Sequence, residues 1–227
     1  MTRLRLPLIA FIAGAGVLSF LWFGLSVNRS EPFTLYRYQF LSLGISVFIA
    51  FIIRVITKRK FEFLRLGNWN APAKGIKFLG VKTDESWLRV GTTFMLIISV
   101  VTAAFMYFTF SSTIKDLSSA TWLIALALAL PLSVMNSFNE EIVTRWSVVE
   151  GLSGTKFFKF APVISAFIFG AAHYFGTPGG YLGMLMAGFL GWLLSRSIQD
   201  SQGIGWAWLI HFVQDVIILT VLIAASL

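Results

Sequence analysis

The chain has 227 residues, 57% of them hydrophobic and only 12% charged, with a mean hydropathy of +0.80. A soluble domain carries about twice that charged fraction, so these values exclude one and leave a polytopic membrane protein. The formal net charge is +8, but no Lys/Arg run exceeds Lys58-Arg59-Lys60, which argues against a nucleic-acid partner, and the absence of cysteine excludes disulfides and thiolate metal ligands.

A spanning helix needs roughly 20 apolar residues. The apolar runs predict seven, at about 6–27, 39–56, 88–110, 119–139, 160–175, 181–195 and 203–225. The expected fold class is all-α: a polytopic membrane helix bundle of about seven transmembrane helices. The first run is longer than the about 7–15 residues of a signal-peptide core, and no small-residue cleavage site follows, so it reads as an uncleaved anchor. The segment 57–87 is the one long connection. It mixes basic residues with Phe61, Phe63, Leu64, Leu66, Trp69, Phe78 and Trp87, which predicts an interfacial element on the anionic inner leaflet rather than a solvated linker. Pro178-Gly179-Gly180 reads as a tight outer turn. In the sixth span, Gly183, Ala187 and Gly191 form a small-residue stripe suited to close helix packing.

Basic residues set the expected orientation. With the N-terminus inside, the inner segments hold thirteen: Arg3, Arg5, Lys58, Arg59, Lys60, Arg65, Lys74, Lys77, Lys82, Arg145, Lys156, Lys159 and Arg196. The outer segments hold three, Arg29, Arg37 and Lys115. Arg54 and Arg89 sit at inner helix ends, where they can snorkel. The expectation is an N-terminus inside and, after seven spans, a C-terminus outside.

Ionisable groups at membrane depth are expensive and mark candidate functional sites. Three such groups fall in the second half of the chain. The first is Asn136, Asn139, Glu140, Glu141 and Arg145. Glu141 and Arg145 are four apart and share a helix face, whereas Glu140 points about 100° away without that partner. A carboxylate in a low-dielectric site suits a general base or acid; a structural ion pair is the other reading. The second is Phe169-x-x-x-His173, in which a lone histidine on an apolar helix is either a packing residue or a working one. The third is His211-x-x-x-Asp215, again on one face, where the carboxyl can orient the imidazole or clamp two helices.

Together, and in this order, Glu140-Glu141-x-x-x-Arg145, Phe169-x-x-x-His173 and His211-x-x-x-Asp215 resemble the three motifs of the CAAX prenyl protease and bacteriocin-processing (CPBP, or Abi) family of intramembrane endopeptidases. The resemblance covers roughly residues 120–220. It implies that Glu140 and His173 activate a water for attack on a peptide carbonyl. It also implies that His211 with Asp215 forms the oxyanion site, and that Arg145 supports Glu141. Well-known prenyl proteases have Asn at the last position, where this chain has Asp215. An ionised Asp repels an oxyanion, so Asp215 is protonated, or orients His211, or binds a metal. The family is often labelled metalloprotease. His173, His211 and Glu140 could together hold one Zn²⁺ with a water in the open position.

On this reading residues 1–118 supply the first three helices and the basic cytoplasmic loop 57–87. Residues 119–227 form the catalytic helical core of one integrated domain. The expected protein is a multi-pass, prokaryotic plasma-membrane hydrolase with a cytoplasmic N-terminus. Its partners are the lipid bilayer and a membrane-associated peptide or protein substrate. Two other classes fit the same residues: a non-catalytic binding or immunity protein, and a proton-coupled transporter, for which no pair of broken helices in matching halves speaks. A shared site requires Glu140, His173 and His211 at one depth. With Glu140 near the inner edge, that predicts a site in the inner half of the bilayer, open to the cytoplasm.

Overall fold

The computed structural model describes residues 2–25, 32–58, 61–177 and 179–227; Arg29, Arg59, Lys60 and Pro178 lie outside them. Among the described residues the chain is helical, without strands. The helices are α1 (Thr2–Leu25), α2 (Pro32–Thr57), α3 (Trp87–Ile114), α4 (Ser119–Glu141), α5 (Ser147–Leu152), α6 (Ala161–Ala172), α7 (Gly180–Ser201) and α8 (Gly205–Ala224). Seven helical stretches of the described residues are long and apolar enough to cross a membrane, as predicted. Large apolar side chains such as Phe108, Phe167 and Leu185 are exposed on their outer faces, which suits a lipid surround.

The fourth span differs from its predicted 119–139 extent. α4 does not stop at the charged group; it runs through a π-helical segment, Ile142–Trp146, into α5. One apolar stretch therefore extends from Ser119 to Leu152. Glu140, Glu141 and Arg145 resemble a membrane boundary in sequence. Inside the bundle the charges of Glu141 and Arg145 are paired with each other, so the helix need not leave the membrane there. Single π turns inside α-helices are frequently found at functional sites.

α1, α2, the π segment, α5, α7 and α8 share one core, with Ile9, Ile53, Val143, Trp146, Leu152, Leu194, Ile198 and Ile210 buried in it. α6 and α7 approach closely. A Cβ on Gly170 would lie 2.7 Å from the Met184 carbonyl oxygen, and one on Gly191 3.0 Å from that of Ser165. Of the predicted small-residue stripe, Gly191 does this packing work, while Gly183 and Ala187 line a cavity instead.

The segment after α2 is neither a free interfacial strip nor a solvated linker. It docks on the end of the bundle formed by α5, the C-terminus of α7 and the start of α8. Phe63 N–H donates to Glu150 Oε2 (3.0 Å). The amides of Asn68, Ile204 and Gly205 bond to Ser201, Arg65 and Leu66 carbonyls at 2.8, 2.9 and 3.2 Å. Trp206 Nε1 donates to the Trp69 carbonyl (3.1 Å). Phe63, Ala71, Ala73, Ile76, Val81 and Trp87 are buried, whereas Leu66 and Phe78 stay exposed. Alternation of apolar and basic residues here reflects one side packed on the bundle and one left outside.

The buried carboxylate of Asp200 is the main anchor: its Oδ2 accepts from the Lys74 amide (3.1 Å) and from Trp87 Nε1 (3.2 Å). Asp200→Ala leaves both donors without their acceptor. The expected cost is about 1–3 kcal/mol, seen as faster trypsin cleavage at Lys74, Lys77 and Lys82; wild-type protection in the variant would remove Asp200 as the anchor.

Candidate active site

The continued fourth span places the charged residues well inside the bundle. At about 1.5 Å per residue, Glu140 lies about 18 Å of helix from Leu152, and His173 about 18 Å from Ala161. His211 is about 9 Å into α8. Direct contacts show that the groups meet. His211 Nε2 lies 3.5 Å from Glu140 Oε2 and 3.6 Å from Asp215 Oδ1. Its Nδ1 lies 2.7 Å from Glu141 Oε1. Glu141 Oε1 also accepts from Arg145 Nη1 at 2.5 Å. Glu141 Oε1 accepts from Arg145, and Nδ1 of His211 points its proton at the same oxygen. Nε2 then faces the two remaining carboxyls. The residue that holds the rear nitrogen of His211 is thus Glu141; Asp215 stands at the other nitrogen.

Phe169 explains the second motif physically. Its ring lies under the Arg145 guanidinium, 3.8 Å from carbon Cζ to centroid. It packs against both imidazoles, with centroid separations of 4.1 Å to His173 and 5.5 Å to His211. A cation over a ring face is attractive when desolvated, so one aromatic side chain positions three polar ones. At the end of α6 the chain tightens into a 3-10 turn, His173–Phe175. His173 Nδ1 lies 2.9 Å from the Phe169 carbonyl. A carbonyl only accepts, so Nδ1 carries the proton and the neutral ring keeps its lone pair on Nε2. His173 is half-buried rather than enclosed.

A second polar layer comes from α2 and α4. Asn136 Nδ2 donates to Glu140 Oε1 (3.2 Å) and to Asp215 Oδ2 (3.1 Å). Asn136 Oδ1 accepts from Gln39 Nε2 (2.9 Å). Asn139 Nδ2 donates to the Gln39 carbonyl (3.1 Å). Asn136 and Asn139 belong to the first polar cluster of the sequence; Gln39 does not. Its one sequence signal is an amide side chain inside an apolar span, where such groups hydrogen-bond across helices. Gln39→Leu takes the donor from Asn136 Oδ1. The expected cost is about 1–3 kcal/mol, read as a lower unfolding midpoint in detergent. An unchanged midpoint would show that this clamp contributes nothing.

Glu140, Asn136, Thr144, Phe169 and His173 line a cavity of about 460 Å³. Its other walls include Val17, Phe20 and Gly24 of α1, Tyr38 and Gln39 of α2, and Leu222 and Ser226 at the C-terminal end of α8. Gly24, Gly176 and Ser226 lie at the end of the bundle away from the docked segment 61–86. That corrects the expected opening toward the basic, cytoplasmic end. The basic end is filled by Trp146, Leu152, Ile198 and Trp206 of the core, so the cavity extends the other way.

His173, His211 and Glu140 are the possible zinc ligands of the sequence. Among the described residues no group of three or more His, Asp or Glu side chains is placed to hold a metal ion. His211 bonds Glu141 through Nδ1 and keeps Nε2, 3.5 Å from Glu140 Oε2.

Chemically, the arrangement offers a carboxylate and an imidazole nitrogen facing one cavity, a second imidazole locked by an ion pair, and an amide donor between two carboxyls. A family model described as type II CAAX prenyl endopeptidase Rce1-like matches residues 118–217, which contain all three motifs. Comparison with curated proteins found no match. Comparison with solved structures found none either. Over residues 118–217 the chain is thus similar to the Rce1-like type II CAAX prenyl endopeptidases, the CAAX-type (CPBP) family whose three motifs it resembles.

Proposed function

We propose that the protein is an endopeptidase that hydrolyses a peptide bond in a membrane-associated peptide or protein, using water activated by Glu140 and His173. The observation that carries this reading is that both side chains line one cavity, with His173 Nδ1 tied to a backbone carbonyl. Nε2 is then the nitrogen left to bind or take a proton. Glu140 and His173 hold a water between them. As its oxygen attacks the carbonyl carbon, one proton passes to this pair. The tetrahedral oxyanion is assigned to the Nε2 side of His211, the nitrogen not bonded to Glu141. Collapse breaks the C–N bond, the stored proton goes to the departing amine, and the proton left on the attacking oxygen follows it, leaving a carboxylate and an ammonium. Walls of Val17, Phe20, Leu21 and Leu222 keep the cavity poor in bulk water, which strengthens each of these interactions.

We further assign residues 119–227 as the catalytic core. Residues 1–118 complete the cavity through α1 and α2 and carry the basic docked segment. By the distribution of Lys and Arg, that segment and the N-terminus face the cytoplasm across a plasma membrane. The cavity then reaches toward the outer side.

The test is the purified protein in liposomes with membrane-anchored peptides, read by mass spectrometry. Cleavage at a defined bond is expected. Intact peptides, with wild-type biological function retained by Glu140→Gln, would favour a binding protein instead. Proton flux without any peptide would favour a transporter. Because the chain has no cysteine, single cysteines at Lys74 and Ser226 also report orientation, with labelling expected from the inside and the outside respectively.

A further inference from the structure

The carboxyls of Glu140 and Asp215 are held from a helix outside the matched residues 118–217. Gln39, on α2, is buried and belongs to a chain of side-chain amides that ends on both of them. The direction of this chain is fixed at its start by the main chain. The Gln39 carbonyl can only accept, so the Asn139 side chain turns Nδ2 toward it (3.1 Å). Asn139 Nδ2 also donates to Gln39 Oε1 (3.3 Å). That turns Gln39 Nε2 toward Asn136 Oδ1. Asn136 Nδ2 is then left with both of its protons for Glu140 Oε1 and Asp215 Oδ2. Every link passes a donor toward the carboxyls. Ser46 Oγ of α2 also donates to the Asn139 carbonyl (3.3 Å) and seats α2 against α4. Among the described residues Asn136 is the one hydrogen-bond donor to the Glu140 carboxyl; Oε2 accepts none.

We propose that Asn136, oriented by Gln39, is a positioning residue for hydrolysis: it locks the Glu140 carboxyl in one orientation and holds Asp215 at a set distance from it. The proposal rests on the endopeptidase reading and adds to it two residues, one of them from α2. Glu140 and Asp215 both approach His211 Nε2, at 3.5 and 3.6 Å, so two acidic groups crowd one imidazole nitrogen. An amide that gives one proton to each of them offsets their repulsion and sets their spacing. The same amide turned over would present its oxygen to two acceptors, and Gln39 Nε2 holds it the right way round. The last torsion of a glutamate side chain is broad, so without this tie the carboxyl swings. A general base works only within hydrogen-bond reach of the proton it takes, and a swinging Glu140 spends less of its time there. Glu140, Asn136 and Gln39 all line the same cavity, so the tie acts where the water is to be activated.

The test compares wild type, Asn136→Ala, Gln39→Leu and the variant carrying both, in liposomes with a membrane-anchored peptide that wild type cleaves. Rates are taken at a temperature below all four unfolding midpoints. Asn136→Ala is expected to lower kcat by about 10²-fold, the loss that follows a small misplacement of a reacting group, with KM near wild type. Gln39→Leu is expected to lower kcat by a smaller factor, again with KM near wild type. In the Asn136→Ala background, Gln39→Leu lowers kcat no further, because its route to Glu140 is gone. A merely structural amide layer gives a different pattern: the midpoints fall while the folded variants keep the wild-type kcat. That pattern overturns the positioning role and leaves the endopeptidase reading standing. So does a Gln39→Leu loss in kcat that is the same with and without Asn136. If Asn136→Ala does not fold, Gln39→Leu decides by the same criterion, a lowered kcat at unchanged KM. If wild-type protein cleaves no peptide, the endopeptidase reading fails and the positioning role with it.

Discussion

Glu140→Gln lowers the peptide hydrolysis rate by about 10²- to 10⁴-fold, the range for loss of a positioned acid–base group. Expression and unfolding midpoint stay near wild type. The separation of the two effects follows from the contacts. Glu140 Oε1 accepts from Asn136 Nδ2 at 3.2 Å, and the carbonyl oxygen of a glutamine accepts the same bond. What the amide cannot do is take a proton from water. His173→Ala gives a comparable loss, because Nε2 of His173 is the other group facing the water. Since the two act as a unit, Glu140→Gln with His173→Ala costs little more than either alone. Single-turnover rates on a cleavable membrane-anchored peptide measure this. A rate within a factor of a few of wild type for Glu140→Gln would remove Glu140 as the base. Multiplying losses in the double variant would show that the two residues act in separate steps.

The parts of this site that a single sequence reveals are those set by local periodicity. Glu141 with Arg145, Phe169 with His173, and His211 with Asp215 are each four apart, so a helix puts each pair on one face whatever surrounds it. The apolar runs likewise announce the spans. What decides how the pairs engage is the register between helices, which no local pattern carries. Spacing alone suggests Asp215 as the partner of His211. In the fold, Glu141 reaches His211 Nδ1 from a different helix, and Asp215 stands at the opposite nitrogen with Asn136. Gln39 enters from outside the matched domain for the same reason. The end of the fourth span was misplaced because a pair of Glu residues looks like water's edge, until Arg145 and His211 are known to face Glu141. The segment after α2 has the composition of an interfacial strip, and its docking depends on partners distant in sequence, the buried carboxylates of Glu150 and Asp200 among them.

Arg145→Met destabilises the protein by about 3–5 kcal/mol, the cost of removing one partner from a buried pair. Arg145 and Glu141 are both fully buried, and Glu141 Oε1 is shared between Arg145 Nη1 and His211 Nδ1. Without the guanidinium, the Glu141 carboxylate keeps a single donor, the imidazole, in a low-dielectric interior. The stacked contact over Phe169 at 3.8 Å is lost as well, and with it part of what holds that ring against His173 and His211. Arg145→Lys retains the charge but not the planar group or its fork, and falls between wild type and Met. Glu141→Gln removes the other half of the pair. The variant carrying both Arg145→Met and Glu141→Gln has no uncompensated charge, so its loss is smaller than the sum of the two single losses. Unfolding in detergent of the four proteins closes that cycle. Additive losses would mean that the ion pair does not organise this end of α4, and that His211 takes its orientation from helix packing alone. A coupled result assigns Arg145 a positioning role. In that case Arg145→Lys recovers part of the peptide turnover that Arg145→Met loses, in step with the return of the charge on which Glu141 and His211 depend.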